Sequence, residues 1–123
     1  MKLGDAFLMG NPGGFTKHLW ILISDPAKHH GHGIIVNLTT DRERSGGECR
    51  LGVGDHQWLT CDCWVSYADA RLIAPDQWRN IEHGIRQRIL IVQPPVAAAA
   101  LARMIAAAKT STAFAPVFLK YLP

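Results

Sequence analysis

The sequence predicts a small, mainly β protein, all-β or α+β in class, in which a β-barrel or curled sheet carries a helical appendage. Five or six short apolar runs separated by glycine-containing turns fill roughly the first 75 residues. A single proline-led, alanine-rich segment near residues 94–109 has the makings of a long helix. No helices alternate with the early runs, which argues against a parallel α/β sheet.

The first run, DAFLM, is a short strand ended by the turn-forming NPGG at 11–14. HLWILIS is apolar on both alternating faces and is closed by Pro26, as expected of a strand buried on both sides. AKHHGHG is a polar hairpin loop, and the β-branched GIIVNLT pairs with the preceding strand. TDRERSGGE is a mobile loop, CRLGV a short strand and GDHQW a turn. CWVSYA and ARLI form one long strand bent near Asp69 and Ala70. After Pro75, PDQWRNIEHG supplies a helical turn or two, stopped by Gly84.

Proline suits the first turn of the long helix, because its missing N–H has no intrahelical partner there. Ala97, Leu101, Met104, Ile105 and Ala108 make its apolar stripe. The tail FAPVFLKYLP packs on the domain or covers a partner. The whole chain, 1–123, reads as one domain with a barrel at about 3–75 and a helical part at about 76–123.

Composition narrows the class. With 48% hydrophobic and 19% charged residues the chain is globular, not disordered. The formal charge of +3 permits an acidic partner such as RNA. Asp5 interrupts the only apolar stretch at the N-terminus, so a signal peptide is not expected, and no run is long enough for a membrane span. Cys49, Cys61 and Cys63 are odd in number, two of them one residue apart, unlike a secreted disulfide framework. A cytoplasmic protein with reduced thiols is expected.

Three quoted stretches carry a resemblance. GDAF followed by a Gly-Gly turn and a basic residue heading KHLWILISD resembles the start of the PemK/MazF family of toxin endoribonucleases. IIVNLTT resembles that family's next strand, ending in a Thr/Ser turn, and LTCDCWVSYADARLI resembles its later segment. The similarity covers roughly residues 3–75. It implies an SH3-like barrel with C-terminal helices, dimeric, cutting single-stranded RNA without metal or other cofactor and silenced by an antitoxin. By position, the family's arginine falls on Lys17, with His18 in place of the usual proline, and its Thr/Ser falls on Thr39, with Thr40 beside it. Lysine lacks the planar fork with which arginine grips a phosphate. In that architecture a cation and a hydroxyl on adjacent strands stabilise the charge that builds on the phosphate.

Other residues have two readings. His56, in GDHQWL, is a general acid or base beside the cleft, or a surface-turn histidine. Trp58 stacks a nucleobase or plugs the barrel end. Arg42, Arg44 and Arg50 contact RNA phosphates, as do His18 and Thr40, or the arginines merely solvate a loop. The HHGHG loop lacks a nearby carboxylate to complete a metal set, and C-x-C lacks zinc-ligand spacing. The expected function is therefore a toxin-like endoribonuclease, homodimeric and paired with an antitoxin, using Lys17, Thr39 and His56. The alternatives are a catalytically inactive barrel that binds RNA or a peptide and, more remotely, a metal-binding regulator built on the cysteines.

Overall fold

The protein, seen in a computed structural model that describes residues 1–10 and 17–123, is an α+β fold built on one curled antiparallel sheet. Its strands are β1 (Ala6–Gly10), β2 (Lys17–Leu22), β3 (Gly33–Thr39), β4 (Arg50–Leu51), β5 (Cys63–Ile73) and β6 (Ile91–Gln93). They lie side by side in the order β4-β5-β3-β2-β1-β6. Among the described residues three α-helices, α1 (Arg42–Ser45), α2 (Gln77–Arg86) and α3 (Ala98–Thr110), and two short 3-10 helices, Pro26–Lys28 and Pro116–Tyr121, complete the fold. The turn expected at 11–14 lies outside the described residues. None of the helices is long and apolar enough to cross a membrane.

Strand alternation sorts the side chains into two layers. Leu19, Ile21 and Ile23 join Ile34, Val36 and Leu38 on one face, where α3 covers them with Ala100, Met104 and Ala108. Phe7, Trp20, Leu22 and Ile35 point to the other face, where α2 brings Trp78, Ile81 and Ile85. α2 covers only part of that second face. The uncovered part is where the polar cleft lies.

β5 is one strand, irregular where a bend was expected. Ile35 pairs with Arg71, yet Asn37 pairs with Ser66, so the four residues 67–70 stand opposite Val36 alone, three more than a regular register holds. Such a bulge re-aims side chains locally. Here it presents Asp69 beside Ser66, whose hydroxyl donates to the Asp69 carboxylate at 2.7 Å.

Four expectations are revised. The stretch after Thr39 is not all loop but carries the short α1: Asp41 caps it by accepting from the Arg44 N–H at 3.1 Å, and Gly46 closes it with φ of 79°. α2 runs through Gly84 to Arg86, and the missing side chain leaves room for Leu90, since an added Cβ would sit 3.0 Å from Leu90 Cγ. Of the expected α3 stripe, Met104 and Ala108 are buried and Leu101 and Ile105 pack against the core, but Ala97 is an exposed cap position and Ala100 is buried. The sheet does not end near residue 75, since β6 adds to the outer edge of β1 through Phe7–Val92 and Leu8–Ile91 pairs.

The tail packs down on the domain. Phe114 is buried edge-to-face against Tyr67 at 6.0 Å, and Phe118 packs on Phe114 at 5.8 Å. Tyr67 in turn donates its hydroxyl to the Met104 carbonyl at 2.7 Å, joining β5 to α3.

Candidate nucleic-acid interface

A cleft of about 220 Å³ opens on the uncovered part of the second face, lined by His18, Trp20, Asn37, Thr39, Arg44, Asp69 and Arg71. Four elements, β2, β3, β5 and α1, place these groups. His18 and Trp20 alternate on β2, Asn37 and Thr39 on β3, and Trp20 faces Asn37 directly across the pair. Arg71 and the bulge residue Asp69 come from β5, and Arg44 from α1.

Each polar group has a defined setting. His18 Nδ1 lies 3.2 Å from the Leu38 carbonyl, which can only accept, so that nitrogen donates. Thr39 Oγ1 accepts from the Asp41 N–H at 3.1 Å, leaving its own proton to donate. Asp69 accepts from Ser66 and lies 3.7 Å from the Arg44 guanidinium. The Arg71 guanidinium sits 4.6 Å over the Trp20 ring. Two buried atoms of the floor, Trp20 Nε1 and Asn37 Oδ1, have no hydrogen-bond partner among the described residues.

The cleft therefore gathers three of the residues expected from sequence, His18, Thr39 and Arg44. Lys17 is not one of its lining residues. Alternation places Lys17 on the face of Leu19 and Ile21, opposite to His18, so it does not share a face with Thr39. Two arginines, Arg44 and Arg71, supply the cleft's cationic groups instead. Arg42 lies apart from it, its side chain against Gly47.

His56 is not a loop group beside the cleft. It is buried, donates from Nε2 to the Pro94 carbonyl at 2.6 Å, and accepts at Nδ1 from the Trp58 N–H at 2.9 Å. With both nitrogens engaged it fastens the 52–59 loop to the approach of α3. Asp55 reinforces this with a 3.0 Å pair to Arg103 of α3. Trp58 is exposed and, with Thr40, Leu59, Thr60, Cys61 and Cys63, lines a separate depression of about 310 Å³.

Among the described residues no group of three His, Cys, Asp or Glu side chains is arranged to hold a metal. Cys49 and Cys63 are buried and Cys61 exposed. Burial pushes the Cys63 thiol up to about 11 and raises that of Cys49 as well. The histidine loop packs on the tail, with His29 edge-on to Tyr121 at 5.4 Å and His32 stacked at 6.2 Å.

Trp20, Asn37, Asp69 and Arg71 were not singled out from the sequence. The i,i+2 pattern His18–Trp20 and the Asp69-x-Arg71 spacing were the available signals. No protein-family model matches the chain, and no curated protein matches it significantly.

Proposed function

We propose that the protein is a PemK/MazF-like endoribonuclease that cuts single-stranded RNA at this cleft, as a cytoplasmic homodimer controlled by an antitoxin. The observation that supports this reading is the convergence of His18, Asp69, Thr39, Arg44 and Arg71 on one concave surface. Two guanidiniums and a hydroxyl donor suit a phosphate that gains negative charge in the transition state. The ribose 2′-OH would attack the adjacent phosphorus as the bond to the 5′ oxygen breaks. Asp69 and His18 would divide the proton transfers, one taking the 2′-OH proton and the other returning a proton to the 5′ oxygen. The products are a cyclic phosphate and a 5′-hydroxyl.

The test is cleavage of a fluorogenic single-stranded RNA in the presence of chelator. Arg71→Ala, His18→Ala and Thr39→Ala should each lower the rate by about 10²–10³, the cost of removing one preorganised donor. Lys17→Ala should change it less than threefold, roughly, because Lys17 is off the cleft face. Cleavage that depends on Lys17 and not on Arg71 would overturn the assignment. Light scattering at a mass of 13.6 kDa would remove the dimer from this reading.

One observation favours a second reading. Asp69, the only carboxylate among the described cleft residues, is already engaged by Ser66 and Arg44. A non-catalytic barrel that binds RNA or a peptide would need no free base. Binding without cleavage by the parent protein would select it.

A further inference from the structure

We infer that Trp20 and Asn37 form the floor of a subsite for one unpaired nucleobase, and that they set its identity. This rests on the RNA reading above but concerns selectivity, not cleavage. Trp20 is 1% exposed and Asn37 7%, and they face each other across the β2–β3 pair. The indole Nε1–H is a donor and the Asn37 Oδ1 an acceptor, and neither has a partner among the described residues. Leaving buried polar atoms unpaired is costly, and native proteins do it rarely. Two such atoms on paired residues that line one cleft point to a ligand that supplies both partners.

The pairing of donor with acceptor identifies the ligand's chemistry. A phosphate offers only acceptors, so it could satisfy Trp20 and never Asn37. The edge of a nucleobase offers a donor and an acceptor on neighbouring atoms. Single-stranded RNA presents such edges splayed out of the stack. Arg71 borders this floor: its guanidinium lies 4.6 Å over the Trp20 ring, a cationic plane on which an incoming base can stack. Thr39 and Arg44, in the same cleft, then lie where the flanking phosphate would run.

The experiment measures binding, so that it stands apart from catalysis. Uncleavable 2′-O-methyl tetranucleotides, with one position varied among the four bases, are titrated by fluorescence anisotropy. The parent should prefer one base over the poorest by about tenfold, the discrimination expected of one good base-edge contact pair. Asn37→Ala and Trp20→Phe should bring that ratio to below about twofold. Asn37→Leu should do the same with an unchanged or higher Tm, because it removes an unpartnered acceptor. Should Trp20→Phe fail to fold, the two Asn37 variants carry the test. Equal binding of all four oligonucleotides by the parent would overturn this inference and leave the RNA reading standing. So would a base preference that survives in the Asn37 variants, or a lower Tm in Asn37→Leu with the preference unmoved, which would mark a buried water as the partner. Binding of none of them would overturn the RNA reading itself.

Discussion

The two faces of the sheet are made from the same strands, yet they differ in kind. On the α3 side every buried residue of β2 and β3 is apolar, and Met104, Ala108 and Phe114 seal them. On the other side α2 covers Phe7, Leu22, Ile35 and Ile73, and the same strands continue past that cover into His18, Asn37 and Thr39. One residue of offset along β2 thus separates a core position, Leu19, from a cleft position, His18. The lesson is that this sheet is divided by coverage as well as by alternation. Polar groups collect where a helix stops short.

That contrast makes unequal predictions for stability. The largest effect should come from Met104→Ala, which opens a void on the sealed face and loses about 2–5 kcal/mol by urea unfolding. Thr39→Ala in the open cleft should lose about 1 kcal/mol or less, since it gives up one hydroxyl contact to Asp41. Equal losses would mean the faces are packed alike and would break the comparison.

His56→Phe comes next, at roughly 1–3 kcal/mol, because it leaves the Pro94 carbonyl and the Trp58 N–H without their partners. The proposed RNA cleavage, if measured below the unfolding temperature, should be unaffected, as His56 fastens α3 and is not a cleft residue.

Acid should weaken the same fastening. The Gly52 N–H foremost, with Arg103, holds the Asp55 carboxyl below its ordinary value of 3.8, partly opposed by desolvation. The folded state therefore favours the ionised form. Its contribution is present above the ordinary value and lost as pH falls through the lowered one. Asp55→Asn should be less stable than the parent at pH 6, with the gap narrowing below about pH 4 in thermal scans. A constant gap would mean the carboxylate's charge is not what matters.

The smallest effect is chemical and leaves the fold intact. Iodoacetamide should label exposed Cys61 in the native protein, while Cys49 and Cys63 stay protected until unfolding, as mass spectrometry would show. Native labelling of Cys63 would indicate that β5 is looser than its burial suggests.

Much of the scaffold was legible because it rests on local signals. Strands β2 and β3 announce themselves by apolar runs bounded by Pro26 and glycines, and α3 by its alanines. The bend in β5 near Asp69 was readable from the break between two apolar pieces. β6 was not, because IVQ is three residues long and becomes a strand only through β1. The cleft was half legible. Thr39, His18 and Arg44 follow from position along the chain, whereas Asp69 and Arg71 depend on a bulge whose register no local pattern fixes. Alternation along KHLWIL already separates Lys17 from His18.

The pairing of β1 with β6 has a consequence for how the chain comes to its fold. Phe7 and Leu8 meet Val92 and Ile91, partners made long after β1 itself, and the sealed face waits for Met104 and Phe114. On a ribosome, strands β1 to β5 can emerge and pair early, yet they keep an open edge and an uncovered apolar layer until the last quarter of this sequence arrives. Closing contacts so distant along the chain slows the final step and favours a nascent sheet that needs shielding meanwhile. Chains arrested before residue 90 should accordingly depend on chaperones far more than the full sequence does.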